Sequence, residues 1–421
     1  MLKREDSVVL TVSLYRSTVC YYLSMIRKIR IENFRSIADS GDVYLPKFGA
    51  IIGKNASGKS NFLSAIAFLK ELVTGVDIGT AINGITPMTS EFFYVTGSPN
   101  RPAASTLIST FKFTIETDSG RHFEFTYQVG LNSTKQPPFF INSETLIEIV
   151  NGSEKSIYTR EGENVFGEGT SSPTKILLNR LALASHPDES SQQVANAIRS
   201  YTIINEQPKL RGDAILVSEN RIDTNTVEGL AVSLQKKDRE LFNAAMACIK
   251  KIIPLFEGAQ IQAIESSTAS DSVDINSEEK KNPKLFFVLW SYKGFVPHSS
   301  ASLSNGDRRT IFLMLSLFNS RSKSFFIAEE IENGMHYQRL AKIVDQLRTY
   351  GNVKEIQVLF TTHSNEILAA LMLDEVLYCR KEPEKGSLLT AIKETAQYEI
   401  IKEELRGGST AADVVNSGMF E

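Results

Sequence analysis

The stretch Gly53-Lys54-Asn55-Ala56-Ser57-Gly58-Lys59-Ser60 constrains this chain more than anything else in its 421 residues. It is a complete G-x-x-x-x-G-K-S phosphate loop, and its flanks are those such a loop needs. Phe48-Gly49-Ala50-Ile51-Ile52 reads as a short buried strand, and Asn61 opens a segment to Lys70 with apolar residues at helical spacing. The two glycines let backbone N–H groups converge on phosphate oxygens, and the helix start adds positive potential. By the chemistry of this motif Lys59 reaches the β- and γ-phosphates, and the Ser60 hydroxyl sits on Mg²⁺.

Three later stretches bear on the same chemistry. Ser324-Phe325-Phe326-Ile327-Ala328-Glu329-Glu330 is an apolar strand ending in two acids. Ligands of open α/β sheets bind at the carboxyl ends of strands, so these carboxylates belong where the phosphate loop opens. By position Glu329 is the acid on the metal side, and Glu330 the base that polarises the attacking water. Ser304-Asn305-Gly306 precedes an expected helix over 310–318 and supplies a hydroxyl and free N–H groups for phosphate, although the same residues make an ordinary helix cap. Val358-Leu359-Phe360-Thr361-Thr362-His363-Ser364 is a further apolar strand, ending in a histidine that taken alone reads first as a satisfied surface residue.

The order of these motifs resembles that of ABC-type ATPase heads of the RecF/SMC superclass, most closely the bacterial AAA-family ABC-like ATPases related to OLD-family proteins. Ile29-Arg30-Ile31-Glu32-Asn33-Phe34-Arg35-Ser36-Ile37 is similar to the family's opening strand and brings Arg35 to the nucleotide. Glu329-Glu330-Ile331-Glu332-Asn333-Gly334-Met335-His336 resembles its E-E-P-E-N-x-L-H segment, and Thr361-Thr362-His363-Ser364 its T-T-H-S. The resemblance implies an α/β fold with a mixed sheet flanked by helices and an antiparallel β lobe. It implies ATP and Mg²⁺ as cofactors, with nucleotide contacts from residues 53–61, Arg35, Ser304, Asn305 and Gly306. Ser60 and Glu329 would hold the metal, and Glu330 and His363 would be catalytic, His363 at the γ-phosphate. Ser304 and Gly306 would act on a neighbouring subunit's site, with Glu332 and Asn333 at the seam, which implies a homodimer or higher homo-oligomer with composite ATP sites. Ile331 replaces the usual Pro, Met335 the usual Leu, and Glu329 stands where many such proteins have Asp. Gln128 is a candidate for the glutamine that couples lobe movement to Mg²⁺, but a solvent-facing strand glutamine fits as well.

Composition sets limits on partners. The net charge of −3 gives no global basic field for nucleic acid, so a DNA surface would have to be a local patch. Cys20, Cys248 and Cys379 lack metal spacing, and their odd number points to free thiols in a reducing cytoplasm. No apolar stretch has the length of a membrane span.

The expected organisation is an N-terminal extension over 1–24, an N-terminal head lobe over 25–150, a mainly helical insertion over 151–284 and a C-terminal head lobe over 285–421. Alternation over 105–150 predicts an antiparallel meander, residues 151–175 predict hairpins, and 225–256 predict helices. Residues 265–284 read as a Ser/Asp/Lys linker. The insertion lacks sustained heptads, so the long coiled coil of an SMC protein is not expected. After Cys379 the sequence is too short for the nuclease domain that OLD-type proteins carry. The expected function is therefore an ATP-hydrolysing switch that acts through a separate effector, as resembling ATPases do in bacterial anti-phage defence. The alternative is a RecF-like repair ATPase that engages DNA.

Overall fold

Parallel pairing gathers the motif-bearing strands. In the computed structural model Phe48–Ile52 pairs with Gln357–Thr361, which pairs with Phe325–Ala328. Because these strands run the same way, Gly53, Glu329 and His363 all emerge at one edge, the carboxyl edge where such sheets bind ligands. Every residue in the three strands is buried, as parallel strands covered on both faces require. Their side chains alternate between two cores. Ile51, Leu359, Phe325 and Ile327 enter one; Ala50, Val358, Phe360, Phe326 and Ala328 enter the other. The helix Lys59–Val73 buries Phe62, Ile66, Leu69 and Val73 in the first core. The helix Asn305–Asn319 buries Ile311, Met314, Leu315 and Phe318 in the second. The phosphate-loop helix and the Ser304 helix thus lie on opposite faces of one sheet.

The structure describes residues 25–86, 89–94, 106–132, 134, 136–169, 172–205, 216–218, 222–265, 284–406 and 413. The extension expected at 1–24 and the interior of the 265–284 linker lie outside the described residues. Val376–Glu382 and Thr202–Ile204 extend the parallel set at its two sides, and the other strands of the sheet pair antiparallel. Leu107–Glu116, His122–Leu131 and Phe139–Val150 form the expected meander, and Met25–Phe34 pairs antiparallel with its first strand. Ser153–Glu161 and Asn164–Gly167 continue it as the expected hairpins. Alternation places Phe111, Phe113, Phe123, Phe125 and Tyr127 wholly inside.

The segment 151–284 needs correction, because it is not mainly helical. It holds the helices Glu189–Arg199, Val227–Lys237 and Arg239–Ile252, but strands run through it and do not stand apart from the head. Thr202–Ile204 joins the main sheet, parallel to the acidic strand. Phe256–Glu265 and Leu216–Ser218 flank Lys284–Tyr292 in a second, three-stranded sheet. The apolar residues of 225–256 do lie on helices, but Asp238 divides them. Its side chain accepts from Leu241 N at 2.9 Å and starts the second helix.

A buried polar cluster fastens the antiparallel lobe to the chain that follows it. Glu144 accepts from the Tyr158 hydroxyl at 2.6 Å and from the backbone N–H groups of Ala182 and Leu183 at 2.7 Å. The Arg160 guanidinium lies 3.4 Å from Glu144 and donates to the carbonyls of Gly162, Leu177 and Arg180. Both side chains are fully buried. Residues 177–183 lead into Glu189–Arg199, whose Arg199 donates to Val73 O at the end of the phosphate-loop helix.

Candidate functional site

The phosphate loop takes the backbone form that its glycines allow. Gly53 has φ 148° and Gly58 φ 106°, the left-handed side that favours glycine. A Cβ on Gly53 would stand 2.1 Å from the Cys379 carbonyl oxygen, and one on Gly58 would stand 2.1 Å from Ser387 Oγ. The loop is therefore backed by the neighbouring Val376–Glu382 strand and its hairpin. G53A is expected to lose about 1–3 kcal/mol of stability and most of its nucleotide affinity. Thermal melting and titration with a fluorescent nucleotide check the two effects.

The loop's lysine is buried and held by the loop's own carbonyls. Lys59 is 8% exposed and donates from Nζ to the carbonyls of Gly53 at 2.8 Å and Lys54 at 3.1 Å. An ammonium has three protons, so one remains for an anion. Burial pushes Lys59 below its ordinary range, opposed by Cys379, Glu330 and Glu332. No side chain caps the helix that begins at Lys59. Ser57 Oγ is buried with no partner among the described residues. Lys54, Asn55 and Ala56 form the exposed turn, and Asn61 is tied back through its amide to Ser36 Oγ.

Ser60 and Glu329 meet here. Burial pushes the Glu329 carboxylate above its ordinary range; the nearby Ser60 hydroxyl and Arg35 oppose that shift and Glu330 adds to it. Arg35, held by Ser64 Oγ at 3.2 Å, is itself pushed down by burial and steadied by Glu329. One hydroxyl and one carboxylate make an oxygen-only pair that suits Mg²⁺, which keeps water and phosphate oxygens as its other ligands.

Glu330 is held from several sides. Its backbone has φ 44°, uncommon for a residue with a side chain and of the kind that collects at functional sites. Its N–H donates to Thr361 Oγ1 at 2.8 Å, and Oε2 accepts from Asn333 Nδ2 at 2.5 Å. Arg309 Nη2 donates to the carbonyls of Glu329 at 2.9 Å and Glu330 at 2.8 Å. Sequence reasoning missed Arg309 and Thr361. The only available signal was their place inside stretches already singled out.

The Ser304 motif sits at the start of its helix. Ser304 Oγ accepts from Asp307 N at 3.0 Å, so its part in capping is real, while Ser304 and Asn305 are exposed. Asn305 Oδ1 accepts from Arg308 at 3.2 Å. Gly306 packs on the segment after the acids, where a Cβ would stand 2.6 Å from Gly334 O. The second sheet grips this loop: Trp290 Nε1 donates to Ser300 Oγ at 2.8 Å and the Tyr292 hydroxyl to Asp307 at 3.1 Å. Gln128 lies elsewhere, on the antiparallel lobe, and accepts from Asn142 at 2.8 Å and Ser143 at 3.1 Å. Its side chain is committed to that lobe.

A family model described as "AAA domain, putative AbiEii toxin, Type IV TA system" matches residues 48–369, from the phosphate-loop strand to the helix after His363. The chain belongs to this family. With its phosphate loop and paired acids it is a P-loop ATPase of that family. It is 21% identical over 384 residues to the ATP/GTP phosphatase of Helicobacter pylori, covering 89% of this chain and 94% of that protein. Among solved structures, the SMC head domain from Thermotoga maritima aligns at 15% identity and a TM-score of 0.42, covering 87% of this chain and 98% of that one. The Smc head domain with an extended coiled coil derived from Pyrococcus furiosus, bound to the C-terminal domain of ScpA, aligns at 14% identity. Its TM-score is 0.49, with 91% of this chain and 100% of that one covered. Among the described residues no helix is long and apolar enough to cross a membrane.

Proposed function

We propose that this ATPase is a switch: it binds ATP with Mg²⁺ at the phosphate loop, hydrolyses it, and acts on a separate effector protein. The observation that carries the reading is that parallel pairing brings the phosphate loop and the Glu329-Glu330 pair to one edge of the sheet, beside a buried Lys59. Ser60 and Glu329 would hold Mg²⁺, which when bound offsets phosphate charge. Lys59 and the loop N–H groups bind and orient the β- and γ-phosphates. Glu330, held by Thr361 and Asn333, takes the proton of the attacking water. Ser304 and Gly306 complete the site of a second copy. Their helix lies on the face of the sheet opposite the phosphate-loop helix, and Ser304 is exposed, which supports that reading.

A switch must couple the site to a surface. Trp290 and Tyr292 tie the Ser304 loop to the sheet that contains Phe256–Glu265, and that strand follows the 225–256 helices directly. Those helices are the proposed lever on the effector. The family description names a toxin of a toxin–antitoxin system, and this is the support for a defence setting. A DNA-engaging role has less behind it, since the net charge is −3.

The test is complementation. K59A and S304R chains, each inactive alone, should regain ATP hydrolysis when mixed, because one composite site recovers both intact halves. Activity per subunit of the parent chain should rise with protein concentration. Folded variants that mix and stay inactive would defeat action between subunits. Co-purification of E330Q with products of neighbouring genes in ATP tests the effector.

A further inference from the structure

Glu332, expected at a subunit seam, is turned back into its own chain. Its Oε1 accepts the backbone N–H of His363 at 2.7 Å and lies 3.1 Å from His363 Nδ1. The Glu332 side chain is only 9% exposed, and its Oε2 is buried with no hydrogen-bond partner among the described residues. Glu332 follows the acidic strand and meets His363 just past the Gln357–Thr361 strand end, so it stands at the carboxyl edge that the phosphate loop shares. His363 keeps 45% of its side chain exposed, so the ring is open to a ligand while one nitrogen is engaged.

A carboxylate beside one ring nitrogen keeps the proton on that nitrogen and thereby decides which nitrogen is presented to a ligand. The two contacts to Glu332 also fix where the ring stands, because one holds the backbone and the other the side chain. We propose that Glu332 is a positioning residue, which holds His363 with its proton on Nδ1 and presents Nε2 to the γ-phosphate. The proposal rests on the reading of His363 as the γ-phosphate contact. The base remains Glu330, whose Oε2 is occupied by Asn333. The unpartnered Oε2 of Glu332 is free to accept from a donor that arrives with the nucleotide.

The test combines nitrogen spectra with kinetics on the full chain. The five histidines are labelled with ¹⁵N, and the His363 signals are assigned by their loss in H363Q. At about pH 8, above the ordinary histidine range, the parent without nucleotide should show Nδ1 protonated and Nε2 bare. E332Q should keep this pattern, because its amide oxygen still accepts. E332A should release the ring to the Nε2–H form that prevails for an unconstrained neutral histidine side chain. E332A and H363A should each lower kcat by about ten- to a hundredfold, the usual cost of losing a partner that orients a functional histidine. The double variant should lose little more than either single one, with KM nearly unchanged in all three. A parent ring protonated on Nε2 alone, or losses that multiply in the double variant, would overturn the proposal. An inactive parent would count against ATP hydrolysis itself, and the spectra would still decide whether Glu332 holds the ring.

Discussion

An E330Q chain is expected to bind ATP as tightly as the parent and to hydrolyse it about 10²- to 10⁴-fold more slowly, the range for loss of a general base. The geometry makes this substitution unusually clean. Gln has the same shape, its carbonyl oxygen can still accept from Asn333 Nδ2, and the backbone contacts to Thr361 and Arg309 do not involve the side chain. The φ of 44° at this position weighs on Gln as it does on Glu, so the backbone is not a second variable. K59A is the contrasting case. It removes the cation that faces the phosphates, and binding should fall before turnover can be measured. Phosphate release measured alongside nucleotide titration separates the two. Hydrolysis by E330Q at the parent rate would remove Glu330 from the catalytic role.

The second large effect is on stability and lies in the antiparallel lobe. R160M should cost about 3–5 kcal/mol, the penalty for breaking a buried ion pair by removing one partner. Burial pushes the Glu144 carboxyl up and the Arg160 guanidinium down, so each charge is tolerated only because of the other and of the hydrogen bonds around them. Without Arg160 the carbonyls of Gly162, Leu177 and Arg180 lose their donors, and Glu144 keeps a buried charge with less to balance it. The urea midpoint should fall with the slope of the transition preserved. Exposed pairs such as Lys155–Glu168 should move it little, because water and salt screen them. An R160M midpoint equal to that of the parent would show that the cluster is not what fastens 177–183.

Much of the site is legible from the residues alone, since its chemistry is local. A phosphate loop needs glycines at fixed offsets, a lysine and a hydroxyl within eight consecutive residues, and Gly53 to Ser60 carry them whatever the rest of the chain does. Buried parallel strands announce themselves as short apolar runs, so Phe48–Ile52, Phe325–Ala328 and Gln357–Thr361 are visible with the acids and the histidine at their ends. Two-residue alternation likewise gives away the meander at Leu107–Val129 positions such as Phe111, Phe113 and Phe125.

The tertiary structure alone decided what depends on pairing across long stretches of chain. Thr202–Ile204 is three residues long, too short to show a period, and becomes a strand only because Phe325–Ala328 offers it an open edge. Residues 151–284 looked mainly helical because helical periodicity is easy to see, whereas Phe256–Glu265 needs Lys284–Tyr292 beside it to be recognised as a strand. Arg309 reaches the carbonyls of Glu329 and Glu330 across 20 and 21 residues. Glu332 turns to His363 across 31, and Glu144 meets Leu183 across 39. Sequence by itself determined which groups carry the chemistry, because residue type and local spacing suffice for that. Which of them touch was settled only when the sheet brought distant strand ends to one edge, where burial makes each unpaired polar group costly enough to select a partner.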